Sequence, residues 1–317
     1  MTSKLLSLCI PTFNRAKFLE ISVTAILTTI APHFRKDIQI VISDNVSEDN
    51  TQSVLQKFQT ENSDIEWIVV RQEKSVGFSN ITLVTKYATG EFIWILSDDD
   101  IIMPEAINRI IQMLRYEPMN GIVANYASFL NDIQFINKPV LPKVQNLKHP
   151  SDIVAFLSSQ LTFLSILVFR RSLTQLPVGE KWLSALCQCY MFLDVIAQGE
   201  IKYIPTISLA VRGENSGNYN FFQIFIEQFD QVLHYAEALG LDQSALHQAR
   251  VKHLPFLMNL AFVSRSQSDP NRDWTAEKEL FRKYYPNYLL SLVTIFILSI
   301  PNFLFFPIAK FLNSLGK

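Results

Sequence analysis

The chain reads as an α/β protein in which a mainly parallel sheet is flanked by helices and followed by a helical C-terminal extension. Three observations predict it. Short apolar runs alternate with helical segments over the first 127 residues, the pattern of strands joined by helical crossovers. Polar loops leave the runs that end at Ile10, Ile42 and Leu96, and right-handed crossovers would bring these loops to one sheet edge, where open α/β sheets bind ligands. From Asn220 to about Ser266 the pattern is helical throughout.

In order, Leu5–Ile10 is the first strand, stopped by Pro11-Thr-Phe-Asn-Arg15, and an amphipathic helix follows to about Ile30. Ile38–Ser43 is the second strand, and Asp44 to Thr51 leads into a helix over about Thr51–Glu61, with Ser47 or Asp49 as its cap. Ile65–Val70 is a third strand, Gly77 breaks the chain, Asn80–Ala88 suits a short helix, and Phe92–Leu96 is the fourth strand. Pro104 opens a helix reaching Tyr116, and Gly121–Ala127 is another strand. The stretch 131–149 lacks a clear period and reads as an irregular excursion or hairpin. Ser165–Phe169 is a strand, Trp182–Gln198 a helix ended by Gly199, and Ile201–Ile204 a short strand closed by Pro205. The helical region has a break at Gly240 and an interruption at Pro255; Asp273 caps a last amphipathic helix bearing Trp274, Leu280 and Phe281.

The 317 residues balance 28 basic against 29 acidic side chains, so no global field draws the protein onto nucleic acid. Cys9, Cys187 and Cys189 form no disulfide framework and lack zinc-site spacing, which points to a reducing compartment. The N-terminus reaches Pro11 too soon for a secretory apolar region, so the expected location of this part is the cytosol. Hydrophobic residues make up 49% and charged ones 18%, an excess concentrated between Tyr288 and Ala309, where no charged residue occurs. Pro301 and Pro307 divide that tract into pieces shorter than the roughly 20 residues a membrane span needs. Arg282 and Lys283 precede it, and Lys310 and Lys317 follow it. Basic flanks on both sides favour a segment lying in the inner leaflet over a single crossing; a helical pair packed on the domain is the alternative.

The most informative stretch is Glu91-Phe-Ile-Trp-Ile-Leu-Ser-Asp-Asp-Asp100, a buried-strand pattern ending in three carboxylates. Such a cluster needs solvent or a cation to compensate it, and hard divalent cations take oxygen ligands. No Gly-x-Gly-x-x-Gly follows the first strand and no Gly-Lys-Ser/Thr loop occurs, so neither a dinucleotide site nor a P-loop is supported. Carboxylates without a glycine cradle suggest that a metal carries phosphate groups.

Taken together, Ile10-Pro-Thr-Phe-Asn-Arg15, Ser43-Asp-Asn-Val-Ser-Glu-Asp-Asn-Thr51, Val76-Gly77 with Asn80, Gly90-Glu91, and Leu96-Ser-Asp-Asp-Asp-Ile101 followed by Pro104 resemble a family 2 glycosyltransferase with the GT-A fold. The second and third motifs are most similar to the abequosyltransferase-like branch of O-antigen and polysaccharide assembly. The resemblance implies a nucleotide-sugar-binding half over 1–127, an acceptor-binding half over 128–219, a helical extension over 220–285 and an apolar membrane-associating tail over 286–317. It implies that Pro11, Thr12, Asn14, Arg15, Gly77 and Asn80 line the nucleotide-sugar pocket and that Asp44 accepts from the base; alone, Asp44 reads equally as a helix-capping acid.

For the acidic edge the resemblance implies Mn²⁺ or Mg²⁺ bridging to the donor diphosphate. Strand alternation puts Asp98 and Asp100 on one side. Counting back from Pro104 puts the metal on Asp99 and the first acid position on Ser97. Asp99 and Asp100 are ranked as metal ligands and Asp98 is placed toward the ribose. The acidic pair that family members carry before a Gly-x-x-x-Tyr-Ile-Pro segment is replaced here by Cys187-Gln188. Glutamine orients an acceptor but takes no proton, so Asp194, further along the same helix, is the substitute base and Glu214 an outside candidate. Arg212 and Asn215 match the family's arginine-containing loop.

The expected function is transfer of a sugar from a nucleotide-diphosphate donor to a saccharide acceptor linked to a polyprenyl diphosphate, by a peripheral or monotopic protein at the cytoplasmic face of the inner membrane. A catalytically inactive carbohydrate-binding or scaffold protein of the same fold is the alternative. A nucleotidyltransferase is disfavoured, because a glycine-rich basic phosphate loop is missing.

Overall fold

The computed structural model describes residues 4–129, 138–143, 147, 149–212, 220–267, 269, 272–301 and 304–307. Three strands and their helices follow the apolar runs: β1 (Leu6–Thr12), α1 (Ala16–Thr29), β2 (Ile38–Asp44), α2 (Thr51–Glu61) and β3 (Glu66–Arg71). The chain then passes through α3 (Asn80–Leu83), β4 (Phe92–Ile95), β5 (Ile101–Ile102), α4 (Ala106–Tyr116) and β6 (Gly121–Phe129). Next come α5 (Pro150–Leu157), β7 (Leu167–Arg170), α6 (Glu180–Leu183), α7 (Cys187–Ala197) and β8 (Ile201–Arg212). A π-helical turn at Gln223–Gln228 leads into α8 (Phe229–Ala238), α9 (Gln243–Gln267), α10 (Thr275–Tyr284) and α11 (Leu289–Ser299).

The eight strands form one sheet in the order β3-β2-β1-β4-β7-β6-β8-β5. Pairings within β3-β2-β1-β4 are parallel, as is β6 with β8, while β7 runs antiparallel to β4 and β6. β1 and β2 are buried along almost their whole length, as expected for strands covered on both faces. Their registered ends, Thr12 opposite Asp44, put two of the polar loops side by side. One apolar core runs from β1 to α9. A smaller one joins Phe222, Leu257, Trp274, Phe281 and Leu298 at the C-terminal end.

Several elements differ from expectation for identifiable reasons. β8 continues through Pro205 instead of stopping there, because the ladder with β6 slips around Asn125. The Asn125 amide bridges the slip, donating to Pro205 O at 3.0 Å and Leu141 O at 2.8 Å, so the proline occupies a bulge that needs no N–H there. α9 passes through Pro255 unbroken; that residue lies on the exposed face, where the carbonyl it releases meets water. The helix expected over Trp182–Gln198 is divided, with Ser184 Oγ donating to Gln228 Oε1 at 3.0 Å in the gap. The helix after Pro104 starts at Ala106, past a left-handed Glu105. β5, only two residues long, pairs antiparallel with β8 and carries no periodicity to betray it. Most of the excursion over 131–149 and the end of the C-terminal tract lie outside the described residues.

Candidate functional site

The loops after β1, β2 and β4 and the turn before α3 enclose a cleft of about 380 Å³ lined by Pro11, Thr12, Phe13, Arg15, Asn45, Ser75, Gly77, Phe78, Asn80, Ile81, Ser97, Asp98 and Leu164. At its acidic side, Thr12 Oγ1 donates to Asp98 Oδ2 at 2.7 Å and Arg15 Nη1 reaches Asp98 Oδ1 and Asp99 Oδ2, each at 3.0 Å. Ser97 Oγ donates to the other oxygen of Asp99. Asp100 lies deeper, accepting from Ser165 Oγ at 2.6 Å, and the same Ser165 hydroxyl accepts from Ser97 N at 2.9 Å. One serine at the entry to β7 thus anchors the acidic loop at two points.

The electrostatics follow from burial. Burial pushes the Asp98 carboxyl up to about 6, against the opposing pull of Arg15 and Thr12. Burial, reinforced by Asp99, raises Asp100 well above the usual carboxylate range. Asp98 and Asp99 share the Arg15 guanidinium within ion-pair distance, Asp100 is bonded to Ser165 instead, and a divalent cation would complete the charge balance of the cluster. Among the described residues no group of three or more His, Cys, Asp or Glu side chains is arranged to hold a metal alone. An ion at the acidic loop would therefore depend on one or two carboxylates together with ligand phosphates, an arrangement that Mg²⁺ accepts. Asp99, with 17% of its side chain exposed, is the accessible carboxylate; Asp100 is buried.

The opposite side is organised by β2. Ser43 Oγ donates to Asn80 Oδ1 at 2.6 Å and Asn80 Nδ2 donates back to Ser43 O at 2.8 Å, which fixes α3 against the strand end. Asp44 is fully buried, accepting from Ser47 N at 2.9 Å and from Gln52 Nε2, with Arg71 at 3.8 Å. It does not line the cleft. Its neighbour Asn45 does, held by Val76 N donating to Oδ1 at 2.8 Å. Gly77 takes a φ of +56° at the rim, a left-handed conformation that disfavours side chains.

Asn14 acts as a stitch between loops: its backbone N–H donates to Ser47 Oγ at 2.8 Å, and its Oδ1 accepts from Glu48 N at 2.7 Å. Asp49 caps twice, accepting from Thr51 N at 3.1 Å and from Ala16 N at 2.9 Å, so one carboxylate serves the starts of α2 and α1. Of the residues expected in the pocket, Pro11, Thr12, Arg15, Gly77, Asn80, Ser97 and Asp98 line the cleft; Asn14, Asp44, Asp99, Asp100 and Arg212 do not. Phe13, Asn45, Ser75, Phe78, Ile81 and Leu164 also line it, beyond the sequence expectation. Phe13 and Asn45 sit inside quoted motifs, whereas the others carry no chemical signature.

Gln188, Asp194 and Arg212 do not line the cleft. Gln188 is buried, with Nε2 donating to Thr162 O at 2.9 Å. The Arg212 guanidinium lies 4.9 Å from the ring centres of both Phe18 and Phe129. Asp194 accepts from Tyr235 Oη at 2.6 Å in a different cavity that shares no lining residue with the cleft. The reason is axial distance: seven residues beyond Cys187, Asp194 sits about two turns, roughly 10 Å, further along α7. Glu214 and Asn215 lie outside the described residues.

A sheet in this order with its cleft at the strand ends has the GT-A architecture. The family model for "Glycosyl transferase family 2" matches residues 7–166, and the chain belongs to that family. It is 33% identical over 107 residues to the GalNAc(5)-diNAcBac-PP-undecaprenol beta-1,3-glucosyltransferase of Campylobacter jejuni, covering 34% of this chain and 33% of that protein. It is 32% identical over 106 residues to abequosyltransferase RfbV of Salmonella typhimurium, covering 32% and 30%. The matched stretch therefore spans about a third of these curated relatives. In structure, the chain is similar to the mannosyltransferase PcManGT from Pyrobaculum calidifontis in complex with GDP-Man and Mn²⁺. That match has a TM-score of 0.54 and 15% identity, and covers 100% of this chain and 89% of that one.

Proposed function

We propose that the protein transfers a sugar from a nucleotide-diphosphate donor to a saccharide acceptor linked to a polyprenyl diphosphate, in cell-surface polysaccharide or O-antigen synthesis. The observation that carries this reading is the convergence of Thr12, Arg15, Asn45, Asn80 and Asp98 from four separate segments on one cleft at the strand ends. Asn45 meets the base edge through its amide, and Asp44 holds the loop that presents it. Asp98, oriented by Thr12 and Arg15, receives the ribose hydroxyls. Asp99, with Asp100 behind it, would hold Mn²⁺ or Mg²⁺. Such an ion, when bound, supplies Lewis-acid and electrostatic stabilisation of the leaving diphosphate.

Two observations support a lipid-linked acceptor at a membrane surface. The C. jejuni relative carries an undecaprenol-linked acceptor in its name. On α11, Leu289, Leu292, Val293 and Phe296 are exposed in one stripe while Ser291 and Thr294 are fully buried, so the large apolar side chains point outward. Among the described residues no helix is long and apolar enough to cross a membrane, so the stripe would lie in the headgroup boundary of the inner leaflet.

A binding-only protein of the same fold is the second reading, favoured by one observation. Among the described residues Asp98 is the one carboxylate lining the cleft, and it is already bonded to Thr12 and Arg15. Incubation with a panel of sugar nucleotides and Mn²⁺, with and without bacterial lipid extract, separates the two. Release of nucleoside diphosphate that rises with lipid and is lost in Asp99→Ala is expected. Donor binding without turnover would establish the second reading, and neither binding nor turnover would sink both.

A further inference from the structure

A second cavity, of about 410 Å³, lies between the segment after β7 and helices α6, α7 and α8. Its volume falls within the range of small-molecule sites, roughly 300–1,000 Å³. The polar lining comes from Thr174, Gln175, Lys181, Asp194, Gln198 and Tyr235, and an apolar wall completes it. Asp194 Oδ1 accepts from Tyr235 Oη at 2.6 Å and Oδ2 from Thr174 Oγ1 at 3.3 Å. An ionised carboxylate has about four acceptor sites, so these two bonds orient it and leave capacity for a ligand. Lys181 Nζ lies 3.8 Å from the Tyr235 ring centre. Among the described residues Lys181 is in no ion pair, so the cavity presents an ammonium and a carboxylate that do not neutralise each other directly.

We propose that this cavity binds a neutral saccharide: the part of the acceptor remote from its reacting hydroxyl, which rests on the function proposed above. The chemistry selects that class. One positive and one negative group sum to no net charge, which gives a polyphosphate no advantage and opposes it with the carboxylate. Paired hydroxyls match a carboxylate that can accept from two donors at once. Hydroxyl and amide groups of both donor and acceptor character then meet a polyol's mixed edge, while Leu173, Leu176, Pro177, Val178 and Leu239 suit the C–H face of a sugar ring. The location suits an acceptor because α6 borders both spaces. Lys181 lines the second cavity, and the carbonyl of the next residue, Trp182, accepts from Ser79 Oγ at 2.7 Å. Ser79 lies between the cleft-lining Phe78 and Asn80.

The test is binding, read by saturation-transfer NMR and calorimetry on the full chain. The probes are neutral disaccharides of hexose, N-acetylhexosamine and deoxyhexose type, with inorganic diphosphate, UDP and GDP for comparison. At least one disaccharide should bind, and Asp194→Asn and Val178→Trp should each weaken it by about tenfold, the loss expected for a charge-assisted hydrogen bond or a blocked mouth. Val178 is 77% exposed, so tryptophan there leaves folding intact even if the Asp194 variant does not fold. Thr12→Val, in the cleft, should leave disaccharide binding unchanged and weaken UDP or GDP instead. The proposal is overturned if no disaccharide binds, if binding ignores Val178→Trp, if it follows Thr12→Val, or if inorganic diphosphate competes for the cavity. Failure of both nucleotides to bind would count against the proposed function, not against a disaccharide response to Val178→Trp.

Discussion

Gly90 shows how one residue type is dictated by a neighbour. A Cβ at this position would stand 2.7 Å from both Ser7 N and Ser7 Oγ, closer than packed atoms tolerate, and Gly90 N already donates to Ser7 Oγ at 2.9 Å. Gly90→Ala should therefore destabilise the protein by about 1–3 kcal/mol through overpacking, measured by urea unfolding; an unchanged midpoint would contradict the close approach. His253 makes a second residue-scale case. It is fully buried among Phe225, Phe229 and Phe256, with Nε2 donating to Phe225 O at 2.7 Å. Burial lowers its pKa from 6.5 to about 4. A base with a depressed folded-state pKa favours folding most above its unfolded value. That contribution, about 3 kcal/mol at most, disappears as pH falls from 6.5 to about 4. The unfolding midpoint should drop across this window, and His253→Gln should flatten that part of the profile.

At the scale of elements, α11 is locked on one side and open on the other. The Arg265 guanidinium donates to the carbonyls of Ile297 and Ile300, satisfying the helix's C-terminal end, and Leu298 joins the smaller core. Deleting the tract would therefore damage packing as well as remove apolar surface. Point substitutions on the exposed stripe are the cleaner probe. Each large apolar side chain transferred from water contributes on the order of 1–2 kcal/mol. Replacing Leu289, Leu292 and Phe296 together by serine should lower partitioning onto anionic lipid vesicles by at least about 100-fold while the unfolding midpoint stays put. Retained vesicle binding would place the contact elsewhere.

Across the whole molecule, segments distant in the chain meet at Ser165. It bonds Asp100 and Ser97 through its hydroxyl and Trp94 Nε1 through its carbonyl, the last at 2.8 Å, so the acidic loop after β4 is held by the segment that enters β7. Ser165→Ala would leave a buried carboxylate short of a donor, a loss of about 1–3 kcal/mol. Donor turnover should fall by about tenfold to 100-fold, with Trp94 fluorescence little changed because the carbonyl bond remains. Full activity in this variant would show that the loop is positioned by Arg15 and Thr12 alone.

The sequence by itself determined the alternation of β1 to β4 with helices, the three loops at their C-terminal ends and the acidic edge. Each rests on a local property: apolar runs, loop residues and charge clustering are read within a few positions. It also marked seven of the cleft-lining residues, because they lie in motifs on those loops or, for Gly77 and Asn80, in the segment after β3. Only the tertiary structure decided the placing of β7 between β4 and β6, the passage of β8 through Pro205 and the separation of Asp194 from the cleft. Likewise, Asp44 and Asn45 are adjacent and equally polar in the chain. Both are buried, and strand-end geometry turns Asn45 alone toward the cleft. Pairing order, bulge register and side-chain direction depend on contacts between residues up to about a hundred positions apart, such as Thr12 with Asp98 and Ser79 with Trp182, and no local pattern encodes them.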